Sequence, residues 1–106
     1  EIIRIVKSYI SENLRSATLE EAASIVHLSS GYLSRLFKNR TNKSFSDYLL
    51  SKRMEKACVL LRNIQYKIYE ISDATGYDNP KNFTRTFKNY YNMSPKEFRE
   101  KGSHIA

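Results

Sequence analysis

Hydroxyl, arginine and lysine side chains recur in two segments of this chain in the same order and at the same spacing. The matched pairs, each fifty positions apart, are Ser34 with Thr84, Arg35 with Arg85, and Lys38 with Lys88. A guanidinium group donates two parallel hydrogen bonds to O6 and N7 of guanine, and lysine contacts phosphate oxygens. The repeated set is therefore suited to contact with a polyanion that also carries hydrogen-bonding edges.

Apolar residues in the same two segments recur at helical spacing and fall opposite the polar set. The expected buried stripes comprise Leu33, Leu36 and Phe37, with Arg40 beside them, in the first segment, and Phe83, Phe87 and Tyr90 in the second. A solvated outer face is the ordinary explanation for one such helix. Repetition of the same face fifty residues later favours a shared function instead.

The candidate contact residues divide into two groups by chemistry. Side chains that can contact base edges are Ser34, Arg35, Lys81, Asn82, Thr84 and Arg85. Among these, asparagine is suited to adenine and arginine to guanine. Cations expected to contact phosphates, and so to make affinity depend on salt, are Lys38, Arg40, Lys43, Lys88 and Lys96.

A short helix and a turn precede each repeated segment. The residues Thr18-Leu-Glu-Glu21 form a capping box, in which the Thr18 hydroxyl accepts from the Glu21 amide and the Glu21 carboxylate reaches back. The break at residues 27–29 follows, with His27 in the left-handed turn position. In the second copy a helix near Ile68 to Thr75 ends at Gly76, and Asn79 caps the next helix. Both copies therefore have the layout of a helix-turn-helix unit.

Charge is polarised in the same direction in both units. Acidic residues lie in the leading helices, whereas residues 29–43 and 79–96 each contain four cations and no acid. The second helix of such a unit is the one that enters the major groove of DNA. The sequence therefore predicts two recognition helices.

The rest of the chain completes a division into four parts. A helix from Ile2 to Asn13 or Leu14 leads the first unit, residues 1–43, and residues 44–64 are predicted to form a long linker helix that buries Ile64 near its end. Residues 65–101 form the second unit, whose last helix is expected to end near Lys101, and residues 102–106 a tail. A linker helix of about 19 residues is about 28 Å long, comparable to the groove repeat of about 34 Å.

Composition bounds the class of protein. The 106 residues contain 18 basic and 11 acidic side chains, for a net charge of +7, with few Gly or Pro residues and no sustained period-two alternation. We therefore expect an all-α fold of seven helices and a polyanionic partner, and charge alone does not choose between nucleic acid and an anionic membrane. Cys58 is expected to be a packing residue, and the two histidines, His27 and His104, form no ligand cluster, so no metal or cofactor is expected. With no bilayer-spanning run and no signal peptide pattern, a cytoplasmic protein is expected.

Three phrases, at residues 27–38, 53–61 and 76–95, resemble the DNA-binding domain of the AraC/XylS family of bacterial transcription regulators. The resemblance covers nearly the whole chain. It implies two helix-turn-helix subdomains joined by a linker helix, base contacts from the positions chosen above together with Gly31 and Pro80, and activation of transcription through RNA polymerase. Gly31 departs from members that carry a large side chain there, and His27 and Ser72 replace the more usual Gly and Ala.

Further details, at Arg53-Met-Glu-Lys-Ala57 and Lys67-Ile-Tyr-Glu-Ile71, are similar to the output domains of YesN-type two-component response regulators. That similarity implies a receiver or sensor domain upstream in the full-length protein. The isolated domain is then expected to be monomeric and the full-length protein homodimeric.

Two other classes of function remain to be weighed. A helical adaptor or membrane-surface module would leave a continuous apolar face exposed on the basic helices, but those apolar residues are needed for the core. An enzyme would need a phosphate-binding glycine loop, a ligand cluster or a nucleophile with a base, and the sequence shows none of these. Sequence-specific binding of double-stranded DNA is therefore the leading hypothesis.

Overall fold

The computed structural model describes the backbone of residues 1–105 and the side chains of residues 1–101. It contains α1 (Ile2–Glu12), α2 (Leu19–Ile25), α3 (Ser30–Thr41), α4 (Phe45–Leu61), α5 (Ile68–Ala74), α6 (Pro80–Tyr91) and α7 (Pro95–Ile105). The described part of the chain has no strand, so the prediction of an all-α fold with seven helices is confirmed. None of the helices that can be described is long and apolar enough to cross a membrane.

The chain divides into two compact units, Glu1–Lys52 and Arg53–Ala106. The first contains α1 to α3 and the beginning of α4, and the second contains the rest of α4 and α5 to α7. Each unit thus holds one helix-turn-helix pair, α2 with α3 or α5 with α6.

In the first unit the core forms where α1, α2 and α3 meet the start of α4. Its fully buried side chains include Val6, Ile10, Leu33 and Phe37. The Phe37 ring packs edge-on against Phe45 and Tyr48, with centroids 5.9 and 5.4 Å away. The apolar stripe of α3 is therefore committed to the interior.

In the second unit Phe83 and Phe87 of α6 are fully buried, as Leu33 and Phe37 are in α3. The Phe87 ring lies 4.8 Å from that of Tyr91 and 5.7 Å from that of Phe98. Tyr91 is half-buried, whereas Tyr90, which we expected in the stripe, is 41% exposed. The matching positions of α3 have the same order of exposure, so the orientation of α6 sets this difference, and the Phe98 ring of α7 stacks on Tyr91.

Cys58 is buried in the second unit, as its packing role predicts. Tyr91 lies beside it. Burial is the main reason why the pKa of the Tyr91 hydroxyl is raised, and the nearby thiol of Cys58 adds to this effect. The hydroxyl therefore stays protonated near neutral pH.

The α4 helix is shorter than predicted and contains 17 residues, a length of about 25 Å. It ends at Leu61, and the Arg99 side chain hydrogen-bonds to backbone carbonyls at and just after this end. The guanidinium donates to the carbonyl oxygens of Leu61 at 2.8 Å, Asn63 at 3.2 Å and Tyr66 at 2.7 Å. Ile64 consequently lies in a turn and is 78% exposed, so the prediction that it is buried was wrong.

The last helix continues past Lys101 to Ile105, four residues beyond its expected end. Glycine at position 102 lowers helix propensity but does not prevent helical backbone. Ala106 lies outside the described residues, as do the side chains of residues 102–105.

The α2 cap differs from a simple capping box. As predicted, the Thr18 hydroxyl accepts from the Glu21 backbone N–H at 3.1 Å. The Glu21 carboxylate, however, accepts from the Tyr9 hydroxyl, and that hydroxyl accepts from the Thr18 N–H at 3.0 Å. The Tyr9 hydroxyl thus bridges the Thr18 N–H and the Glu21 carboxylate and links α1 to α2.

Candidate nucleic-acid interface

The turn of the first unit is built around His27, whose φ of 60° lies in the left-handed region. The Leu28 N–H donates to the carbonyl of Ala23 at 2.9 Å, which closes the C-terminus of α2. Two residues later the Ser29 hydroxyl accepts from the Tyr32 N–H at 3.2 Å and so begins α3. The prediction that His27 is a turn residue is confirmed.

The turn of the second unit also contains a left-handed residue followed by an N-cap, and it is one residue longer than the first turn. Gly76 has a φ of 94°, and the Tyr77 N–H donates to the carbonyl of Ser72 at 3.0 Å. The Asn79 side chain accepts from the Lys81 N–H at 2.7 Å, and Pro80 takes the first helical position. Each turn leads directly into the helix that carries the repeated polar set.

Residues 31–42 and 81–92 have the same pattern of buried, half-buried and exposed side chains, position by position. The fifty-residue repeat is therefore also a repeat of orientation. Whatever α3 presents to solvent at one position, α6 presents at the matching one.

The six predicted base-contacting residues lie on the solvent side of these helices. Arg35, Lys81, Asn82 and Arg85 are exposed, and Ser34 and Thr84 are half-buried. The structure groups them as two sets on two helices, with Ser34 and Arg35 on α3 and the other four on α6. Each set is accessible to a ligand that approaches its own helix.

All five predicted phosphate-contacting residues, Lys38, Arg40, Lys43, Lys88 and Lys96, are exposed. Arg40, which periodicity placed beside the apolar stripe of α3, is accordingly not part of the core. The Lys38 ammonium lies 3.4 Å from the carbonyl oxygen of Asn42, so it points toward the C-terminal end of α3. A cation at that end is favoured by the helix dipole.

The two arginines have different neighbours. In α6 the Arg85 Nη2 donates to the Asn82 Oδ1 at 2.9 Å. In α3 the Arg35 side chain lies over Gly31, with its Nη1 3.6 Å from the place that a Cβ on residue 31 would occupy. Glycine at position 31 thus leaves room for the guanidinium beside the helix backbone.

The start of α6 is supported by aromatic packing. In the second unit the Tyr77 ring lies 5.8 Å from the Phe83 ring and 5.7 Å from the Arg53 guanidinium. Burial raises the pKa of the Tyr77 hydroxyl, although the Arg53 charge opposes this. The residue is therefore neutral near pH 7 and supports α6 without adding a negative charge next to it.

Tyr32 is a candidate that the sequence reasoning missed. Its side chain is 49% exposed on α3, where an apolar group can contact a thymine methyl group. The signal was present, because the repeat pairs Tyr32 with Asn82, and Asn82 was already a candidate. No group of three or more His, Cys, Asp or Glu side chains that could hold a metal ion occurs among the described residues.

Comparison with known proteins places these observations in a family. A family profile described as a helix-turn-helix domain matches residues 22–101. The C-terminal domain of the two-component response regulator YesN from Fusobacterium nucleatum is 40% identical, with a TM-score of 0.86 over 91% of this chain and 95% of that one. The C-terminal domain of AraT, a response regulator from Geobacillus stearothermophilus, is 35% identical, with a TM-score of 0.89 over 94% of this chain and 84% of that one.

Among curated proteins, the Msm operon regulatory protein of Streptococcus mutans is 34% identical over 94% of this chain. The match takes up 35% of the length of that protein. The chain spans about a third of the first curated relatives that it matches.

Proposed function

The chain belongs to the AraC-type family of helix-turn-helix DNA-binding transcription regulators, and from this premise we propose that it binds double-stranded DNA sequence-specifically through α3 and α6. The two helices enter successive major grooves on one face of the duplex. Two different recognition helices on one chain then bind a site without two-fold symmetry.

The observation that carries this proposal is the repeated orientation of α3 and α6. Each presents an exposed arginine beside a half-buried hydroxyl on a helix that contains no acidic residue. The helix before it carries two acidic side chains in each unit, Glu20 and Glu21 in α2, and Glu70 and Asp73 in α5. A polyanion is thus attracted to the second helix of each unit and repelled from the first.

The contacts divide as the chemistry of the side chains dictates. Arg35 and Arg85 each donate to O6 and N7 of a guanine, and Ser34, Thr84, Lys81 and Asn82 contact neighbouring bases or phosphates. Lys38, Arg40, Lys43, Lys88 and Lys96 contact phosphates, which position the domain and carry no sequence information. Specificity and affinity therefore reside in different side chains.

We further propose that this domain is the output part of a longer bacterial regulator that acts in the cytoplasm. The match to only about a third of the length of the first curated relatives, and the likeness to C-terminal domains of response regulators, support an upstream receiver or sensor domain. In this arrangement the DNA-bound domain activates transcription by contact with RNA polymerase, and the full-length protein is a homodimer whereas the isolated domain is monomeric.

Competition binding tests the core of this proposal. A labelled duplex recovered from a random pool is titrated with the protein and challenged with unlabelled random duplex. We expect retention of the selected duplex at least 1,000-fold above the competitor, a typical ratio for specific over nonspecific binding. Equal competition by random DNA, or tighter binding to anionic vesicles than to any duplex, would contradict sequence-specific binding.

A further inference from the structure

Asn82 and Arg85 are joined on the exposed face of α6 by the hydrogen bond from Arg85 Nη2 to Asn82 Oδ1. Because the two residues are three positions apart, they lie one above the other along the helix. We infer that Asn82 is a positioning residue for Arg85, and that the pair acts as one recognition unit that selects a base step rich in hydrogen-bond acceptors. This inference rests on the proposed function.

The hydrogen-bonding inventory of the pair fixes its polarity. A guanidinium has five N–H donors and no acceptor, so only the oxygen of the carboxamide can face it. The Asn82 amide is thereby oriented with its NH₂ group away from Arg85. The outward groups of the pair are then N–H donors from both side chains.

This polarity predicts which bases fit. Guanine offers O6 and N7 to Arg85, and a neighbouring guanine or thymine offers an acceptor to the Asn82 NH₂ group. Cytosine presents its N4 amino donor at the same place, which leaves two donors facing each other. Adenine offers N7 to the Asn82 NH₂ group, but its N6 amino group must share the amide oxygen with Arg85, so the ordinary bidentate match of asparagine with adenine is disfavoured here.

The first unit lacks this device. Tyr32 stands at the position that matches Asn82 and has no carboxamide oxygen, and the Arg35 guanidinium lies over Gly31 instead. Arg35 therefore loses more rotamer freedom than Arg85 when it binds a base. Arg85 is held by Asn82 in the free protein, and discrimination at its base is therefore expected to be sharper.

The test measures binding of the domain to duplexes that carry all bases at two adjacent positions of the selected site. The base position that Arg85 contacts is identified as the one at which base preference disappears in Arg85→Ala. Asn82→Ala is expected to reduce discrimination at that same position by roughly tenfold, the effect of one positioning hydrogen bond of typical strength. In the Arg85→Ala background the same change is expected to have little further effect there.

Asn82→Asp separates positioning from direct contact. The carboxylate still accepts from Arg85, so guanine preference at the Arg85 position is expected to persist, while the neighbouring position loses its preference for an acceptor. In the matched control, Tyr32→Ala is expected to weaken binding without changing discrimination at the Arg35 position. The side chains of Tyr32, Asn82 and Arg85 are all exposed, so thermal melts of the variants are expected to match that of the parent.

Additive effects of Asn82→Ala and Arg85→Ala, with the Arg85 position unchanged in Asn82→Ala, would overturn the inference while leaving sequence-specific binding intact. Selection of adenine at the Asn82 position by the parent protein would also overturn it. Failure of the parent to prefer any sequence would instead refute the proposed function.

Discussion

Asn42 and Asn92 end the two recognition helices in the same left-handed conformation, with φ of 63° and 61°. Each donates its backbone N–H to the carbonyl of the lysine four residues earlier, at 2.9 Å in the first unit and 2.7 Å in the second. Asparagine is among the few residues that adopt this conformation readily. Both helices therefore end at the same point of the repeat, and they differ mainly in the side chains that they present to solvent.

The lysines that precede these caps are expected to contribute affinity without specificity. Lys38→Ala and Lys88→Ala should each weaken binding to selected and random duplexes alike, and each should reduce the slope of log K against log salt by about 1. This slope is measured by fluorescence anisotropy of labelled duplex at salt concentrations from about 50 to about 200 mM. A change in base preference in either variant would show that the lysine contacts a base edge.

The Tyr9 hydroxyl links α1 to the cap of α2, so its removal is expected to destabilise the first unit. Tyr9→Phe leaves the Thr18 N–H and the Glu21 carboxylate without this partner and should lower the free energy of unfolding by about 1–2 kcal/mol. Chemical denaturation measures the effect. In a cycle with Glu21→Gln the two changes should be less than additive, and strict additivity would mean that the hydroxyl and the carboxylate do not interact.

His27 occupies a conformation that suits glycine, as the matching Gly76 shows. We expect His27→Gly to preserve or slightly raise the melting temperature, since relief of the left-handed backbone offsets the larger entropy of the unfolded chain. His27→Val should lower the free energy of unfolding by about 1–2 kcal/mol, because a β-branched side chain is poorly tolerated there. Similar melting temperatures for the Gly and Val variants would contradict the assigned turn geometry.

The Glu97 carboxylate at the start of α7 predicts that stability depends on pH in the acid range. The Ser94 backbone N–H donates to the Glu97 carboxylate at 2.8 Å, and this bond, together with the Ser94 hydroxyl, lowers the pKa of Glu97 below its ordinary value of 4.5. A depressed folded pKa means that the stabilisation is complete above the unfolded pKa and is lost as the pH falls through the folded one. Stability should therefore decrease below about pH 4.5.

Glu97→Gln is expected to reduce that decrease, as measured by melting temperature across the acid range. Glu20→Gln removes the same charge from the first turn of α2 and serves as the control. An unchanged acid dependence in Glu97→Gln would show that the carboxylate does not gain its stabilisation from the cap.

Local signals made most helix starts predictable. Capping side chains act within three residues of themselves, and those of Thr18 and Asn79 accept a backbone N–H as the sequence suggested. Three serines, Ser29, Ser44 and Ser94, accept a backbone N–H in the same way. The register of the two recognition helices followed from apolar spacing for the same reason. The positions of the candidate site residues on the exposed face were thus derivable without tertiary information.

The features that the sequence did not predict depend on distant partners. The stacking of Tyr91 on Phe98 joins α6 to another helix, whereas periodicity within α6 placed Tyr90 in the apolar stripe. The end of α4, and with it the exposure of Ile64, depends on Arg99, more than thirty residues later. Periodicity has no access to such contacts. The bond between Asn82 and Arg85 is local, but residue type and spacing predict a base contact from either side chain equally well and so do not indicate the bond.

Selection of binding sites from a random duplex pool tests the central claim most directly, when it is done with the parent domain and with Arg35→Ala and Arg85→Ala. We predict two conserved blocks, centred about 10 base pairs apart, for the parent. Each arginine variant should lose a different block and keep the other. A single block, or the loss of the same block in both variants, would contradict recognition of two grooves by two helices.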